Sequence, residues 1–340
     1  MTRIVVTGAA GFIGSNLIRG LNERGIDDII AVDNLTRGEK FHNLADLRIA
    51  DYVDAGDFYE AFAQGAHGQV EAIFHEGACT NTLESNGQHL LKNNYTLSVG
   101  LFHACQKRGT RLLYASSAAV YGSSGTLRES PEFERPPNLH GYAKLLVDQR
   151  MRRECGAEFA RTLSGRIAQV VGLRYFDVYG PREQHKTQMA SLVFKQFQQL
   201  QTAGKISVPV GQDASDTGQH LRDYISVEDV VAVNLWFFDR PAHSGIFNVG
   251  SGQAHTMAEL AICVLNASRR FHGQCELTLA QAVDAGLIEY ATSNLEADQT
   301  KSPKVLQADL SALRAIGCDH SFTDLDSGIQ KYVRALTSSF

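Results

Sequence analysis

The sequence predicts an α/β fold, a doubly wound parallel sheet with a smaller α/β lobe built on it. One observation is the run Gly8-Ala9-Ala10-Gly11-Phe12-Ile13-Gly14. It lies between a β-type stretch (Ile4-Val5-Val6) and an apolar-periodic segment (Phe12, Ile13, Leu17, Ile18, Leu21). Strand, glycine turn and helix start follow in that order. Backbone without Cβ atoms can approach a pyrophosphate closely, and the helix N-terminus offers it unpaired N–H groups. A second observation is Asp33, closing Ile29-Ile30-Ala31-Val32 about twenty residues on, where such folds place an acid on an adenosine ribose. The third is the alternation of apolar strands with helix-length segments, which implies parallel pairing through right-handed crossovers. Together they specify a Rossmann-type sheet.

The elements follow in order. Strands are predicted over 3–6, 29–32, 47–50, 72–74 and 112–115, with another near 169–174. Helices are predicted over 12–24, 59–63, 90–108 and 144–153. Several strands are apolar without alternation, as expected when helices cover both faces. After Tyr179 the texture changes: a helix over 189–201, a polar loop over 207–221, a short strand over 224–227 and a strand-like segment over 245–250. Thr256 and Glu259 have capping-box spacing for a following helix. The expected division is a dinucleotide-binding domain over 1–178 and a substrate lobe over 179–340, with chain crossings between them. Ligands of open α/β sheets bind beyond the carboxyl ends of the strands, so the site is expected between the two parts.

The 340 residues, 44% hydrophobic and 20% charged, allow a sizeable core. A net charge of −5 without a basic run leaves no electrostatic footprint for nucleic acid. No apolar run approaches the ~20 residues of a membrane helix. The N-terminus runs directly into the first strand, so no signal peptide is expected. Cys79, Cys105, Cys155, Cys263, Cys275 and Cys318 form no close pair. That argues against a metal or dithiol site and suits a reducing cytoplasm.

Tyr114-Ala115-Ser116-Ser117-Ala118-Ala119-Val120-Tyr121-Gly122 resembles the serine-bearing strand end of the extended short-chain dehydrogenase/reductase family. Within it, further segments resemble the ADP-L-glycero-D-manno-heptose 6-epimerases. They are Val32-Asp33-Asn34-Leu35, Phe74-His75-Glu76-Gly77-Ala78-Cys79, Asn93-Asn94-Tyr95, Arg174-Tyr175-Phe176, Tyr179 through Lys186, Met189-Ala190-Ser191, Arg222-Asp223, Val233 through Phe238 and Gln307 through Leu310. The resemblance implies NADP as cofactor, with NAD as the alternative. It implies contacts from Gly8, Gly11, Phe12, Ile13, Gly14, Asp33, Asn34, Lys40, Glu76, Gly77, Ala78, Cys79, Thr80, Asn93, Lys144 and Val178. Lys40 matches the basic residue near the 2′-phosphate, whereas a second basic position of those enzymes is Ala55 here. The implied substrate, a nucleotide-diphosphate sugar, would meet Ser117, Asp177, Lys186, Gln188, Lys195 and Arg222. A homo-oligomer is also implied.

The catalytic pair departs from the pattern. The superfamily uses Tyr-x-x-x-Lys on one helix face, the Lys lowering the Tyr pKa so that the phenolate acts as base. Here His140-Gly141-Tyr142-Ala143-Lys144 keeps the lysine and puts histidine at the tyrosine position. Two readings stand: His140 is the base, or the site is crippled or repurposed. Lys186 matches a second base, which suits hydride removal from C6 and its return to the opposite face of a 6-ketone. Ser117 would hold the reacting oxygen. Asp177 stands where those enzymes have Asn and Lys195 where they have His, and 208–213 and 292–305, including Ser302, lose the usual pocket sequence. The expected function is therefore C6 epimerisation of an ADP-heptose. The alternatives are a diverged paralogue acting on another nucleotide sugar or carbon, and a non-catalytic nucleotide-sugar binder.

Overall fold

The computed structural model describes residues 3–80, 84–122, 127–156, 168–210, 220–292 and 305–338. Its centre is a parallel sheet of seven strands. From the first half come β1 (Ile4–Thr7), β2 (Ile29–Asp33), β3 (Asp51–Asp54), β4 (Ala72–His75), β5 (Arg111–Ser117) and β6 (Val170–Tyr175). Between them run α1 (Phe12–Glu23), α2 (Ala55–Gln64), α3 (Gly87–Leu91), α4 (Leu97–Arg108) and α5 (Leu139–Cys155). β1, β2, β4 and β6 are buried along their whole lengths, as the uninterrupted apolar runs require.

The chain then forms β7 (Asp177–Tyr179), α6 (Leu192–Ala203), β8 (Ile206–Val210), β9 (Leu221–Ser226), α7 (Val227–Phe238) and β10 (Gly245–Val249). β10 returns to the large sheet beside β6, completing the order β10-β6-β5-β4-β1-β2-β3. α7 lies against α1, where Gly20 leaves room for Val231. β11 (Ala254–His255), α8 (Met257–Phe271), α9 (Leu279–Asp284), β12 (Ile288–Thr292), β13 (Val305–Leu306), α10 (Ser311–Ala315) and α11 (Leu325–Ser338) follow. Their core, with Val193, Phe197, Leu260, Val264, Ile329 and Val333, is separate from the two that flank the large sheet. Thr256 and Glu259 form the expected capping box at α8.

Three elements differ from the sequence prediction. The strand expected over 47–50 is irregular chain that follows a turn at 44–46, and β3 lies just beyond it at Asp51–Asp54. Leu47 and Ile49 are apolar because they pack from that irregular chain onto the core. The polar loop expected over 207–221 contains β8, whose buried Ile206 and Val208 pair in parallel with β12. Residues 211–219 of that loop, and most of the 292–305 segment, lie outside the described residues. The helix expected over 90–108 is α3 and α4 joined by a π-helical turn at Lys92–Thr96. Helices predicted over 59–63 and 144–153 begin earlier, where Asp54 and Asn138 cap α2 and α5. The helix predicted from 189 begins later, capped by Ser191.

Candidate active site

The glycine turn is closed by contacts that exclude side chains. A Cβ on Gly14 would stand 2.2 Å from the Gly8 carbonyl oxygen, and one on Gly8, at φ +68°, would meet Gly77 N at 2.7 Å. The turn therefore presses on the loop after β4. Thr7 Oγ1 ties the two, accepting from Gly77 N (3.1 Å) and bonding His75 Nδ1 (2.7 Å). Gly11 caps α1 without a side chain, and the first turn holds no acidic residue. That leaves a helix N-terminus suited to an anion, so these residues fit a dinucleotide pyrophosphate.

Asp33 lies beside the turn, but its oxygens are engaged. Oδ2 accepts from Ala10 N (2.8 Å), and Oδ1 accepts from Asn34 N (2.6 Å) and from the Lys40 ammonium. Lys40 also donates to the Asn34 carbonyl (3.0 Å). The acid is thus neutralised by a neighbouring cation.

At the carboxyl end of β5, Ser117 Oγ accepts from Ala119 N (3.1 Å). The start of α5 packs on the short turn that follows, where Gly141 allows its backbone to approach the Ala119 carbonyl. Lys144 is buried and donates to the Ala115 carbonyl (2.7 Å). Burial depresses its pKa, opposed by Glu76 and Asp148. His140 is one turn earlier. Burial first, then the Lys144 ammonium, pushes its pKa down to about 4, against a hydrogen bond to the Cys79 backbone. Its Nδ1 is buried without a partner. Tyr142 is 46% exposed and does not take the place of the missing phenol.

Lys186 lies against the start of α1. It sits on a 3₁₀ turn (Gln184–Met189), with Nζ 5.4 Å from the centre of the Phe12 ring at the start of α1. Burial lowers its pKa, with Glu183 opposing and the Lys195 ammonium reinforcing. Glu183 is fully buried, and its carboxylate accepts from Gly180 N (3.2 Å), Ser191 N (2.5 Å) and Ser191 Oγ (2.7 Å).

Residues 4–250 match the NAD dependent epimerase/dehydratase family. The chain belongs to that family. It is 50% identical over 336 residues to the ADP-L-glycero-D-manno-heptose-6-epimerase of Pseudomonas aeruginosa, covering 99% of both chains. The same identity and coverage hold for the enzyme of that name from Pseudomonas paraeruginosa. Among solved structures, the Helicobacter pylori ADP-L-glycero-D-manno-heptose-6-epimerase aligns with a TM-score of 0.78 at 25% identity, over 99% of this chain and 96% of that one. The Thermus thermophilus UDP-glucose 4-epimerase in complex with NAD shares the fold, with a TM-score of 0.75 at 23% identity and full coverage of both chains.

The family's loop after β4 carries Glu76, Gly77, Ala78, Cys79 and Thr80. Glu76 Oε1 accepts from Tyr175 Oη (3.0 Å), while Oε2 is buried without a partner. Burial pushes its pKa up to about 7, against Tyr175 and Lys144. Asn93 is half-buried and donates to the His89 carbonyl (2.8 Å). Its neighbour Asn94 braces the loop instead, accepting from Cys79 N (2.7 Å) and donating to Cys79 O (2.9 Å).

On the lobe side, Asp177 and Arg222 lie on the adjacent strands β7 and β9. Asp177 is exposed at the strand edge, where desolvation by the surrounding protein raises its pKa and Arg222 opposes. Val178 pairs with Ile225, and Gln188 is exposed. Asp223 is structural: it accepts from the backbones of Ser251, Gly252 and Ala308. Sequence reasoning missed Asn43, Arg37 and His185. Arg37 donates to the His185 carbonyl (3.2 Å), and Asn43 Nδ2 lies 3.1 Å from His185 Nδ1.

Proposed function

We propose that this chain epimerises an ADP-heptose at C6 through a transient 6-ketone, using NADP. The observation that carries the reading is the second proton group, Lys186, held over the start of α1. A simple reductase needs one acid, whereas inversion needs a proton group for each orientation of the sugar. The 50% identity to ADP-heptose epimerases along the whole chain supports the same reading.

Gly8, Gly11 and Gly14 would admit the pyrophosphate and Lys144 the nicotinamide ribose. The engaged state of Asp33 favours NADP over NAD, because Lys40 offsets the acid and Arg37 adds a nearby guanidinium. When bound, the dinucleotide supplies the hydride acceptor and donor. Ser117 Oγ would hold the C6 oxygen. In one orientation His140 would take the hydroxyl proton as the hydride leaves C6; in the other the Lys186 ammonium would give a proton to the ketone oxygen as the hydride returns, and the reverse reaction exchanges the two roles. An imidazole with its pKa near 4 is neutral at working pH and so has a lone pair free to accept a proton. The cytoplasm fits the free thiols Cys79, Cys105, Cys263, Cys275 and Cys318, and no helix among the described residues is long and apolar enough to cross a membrane. A homo-oligomer completes the reading, testable by light scattering.

The experiment is incubation with each ADP-heptose epimer and NADP, read by NMR at C6. Interconversion is expected without accumulated reduced cofactor. A second reading rests on Asp177 and Lys195, the carboxylate and lysine that depart from the pattern: a different nucleotide sugar. It gains if ADP-heptose is inert while another nucleotide sugar interconverts. Cofactor binding with no turnover of any sugar would leave a non-catalytic binder.

A further inference from the structure

We propose that Asn43 is a positioning residue for Lys186, holding the 180–187 strap onto the dinucleotide turn. The proposal rests on the reading of Lys186 as a proton group. Asn43 is buried, and its Nδ2 donates to Ala10 O (3.0 Å) and Arg182 O (3.0 Å) and meets His185 Nδ1 (3.1 Å). Its own carbonyl accepts from Arg182 Nη1 (2.6 Å). One side chain thus joins the glycine turn to two residues of the strap, the second of them adjacent to Lys186.

The strap needs such a clamp. Arg182 (φ +73°) and Thr187 (φ +48°) are the non-glycine residues with positive φ among those described, and they bracket Lys186. Backbone in that region persists only where surrounding contacts over-determine it. Asn16 Nδ2 adds a bond to Pro181 O (2.9 Å). Ala10, which accepts from Asn43, also donates to Asp33. Asp33 keeps its own bonds to Ala10, Asn34 and Lys40 whether or not Asn43 is present.

The test is the pH dependence of Lys186 acylation by an amine-directed reagent, mapped by mass spectrometry on the full chain. In Asn43→Ala, a released strap lets water reach the ammonium, and the labelling midpoint rises by about 1 pH unit. Arg182→Gly accepts the positive φ without strain and removes the bond to the Asn43 carbonyl, so it is expected to shift the midpoint the same way if Asn43→Ala is too unstable to use. Turnover should fall about 10²-fold in either variant, as for a reacting group displaced by about 1 Å, with NADP affinity changed less than threefold. An unmoved midpoint in the folded variant overturns the proposal. Lys186→Met separates the two claims: full activity there removes Lys186 from the chemistry, whatever Asn43 does.

Discussion

The two proposed proton groups are carried by regions built differently. α5, with His140 and Lys144, is locked by buried charge. Arg174, fully buried, pairs with Asp148 (2.8 Å) and with Glu134, which also takes Arg152 (2.6 Å). Asp148 further accepts from Tyr114 Oη (2.9 Å) and Ser116 Oγ (3.0 Å) on β5. The strap with Lys186 carries two residues at positive φ and is held by contacts spread over several partners: amide bonds from Asn43 and Asn16, the Arg182–Asp46 pair (2.5 Å), and the Glu183 carboxylate on the backbones of Gly180 and Ser191. Under the proposed reaction, one proton group rides on a helix set by buried ion pairs and the other on irregular backbone set by its contacts with the glycine turn.

The comparison breaks most visibly in the chemistry. His140→Ala is expected to lower turnover by about 10²–10⁴-fold with an unchanged melting temperature, and the wild-type acid limb should lie near pH 4 rather than 6.5. If His140→Tyr instead outperforms the wild type, the imidazole is a lesion. Next is the lock itself. Arg174→Leu leaves Asp148 buried without its cation and should cost about 3–5 kcal/mol by denaturant titration; a cost below about 1 kcal/mol would mean that α5 is not held by charge.

A smaller effect separates the buried carboxyl from the lysine beside it. Glu76 has its pKa raised from 4.5 to about 7, so the folded state binds the proton more tightly than the unfolded one. Its contribution to stability is full below about 4.5 and is lost as pH rises through about 7. Glu76→Gln removes that loss, and the melting temperature of the variant relative to wild type should climb between pH 5 and 8. A flat difference would show that Glu76 is ionised throughout. The smallest effect lies in the strap: Thr187→Gly should stabilise by up to about 1 kcal/mol by relieving positive φ, yet slow turnover. Loss of stability there would mean that Thr187 is not strained.

Much of the fold was legible because its signals are local. The glycines of the first turn can be read from spacing, since each is demanded by a contact within a few residues or with the next loop. The capping box at Thr256 is equally local. Apolar spacing reports burial rather than conformation, however, which is why 47–50 reads as a strand while Leu47 and Ile49 pack from irregular chain. β8 is concealed for the converse reason: its partner β12 is 82 residues away, from Ile206 to Ile288.

The sequence by itself determined the Rossmann-type sheet, the dinucleotide turn and the presence of imidazole where the resemblance expects phenol, because each is written in neighbouring residues. Tertiary structure alone decided that His140 Nδ1 lies buried without a partner, that Asn94 rather than Asn93 braces Cys79, and that Asn43 grips the strap. Asn43 and Arg182 are 139 residues apart. Nothing in the local pattern of either names the other; packing of the sheet and its crossovers brings them to bonding distance.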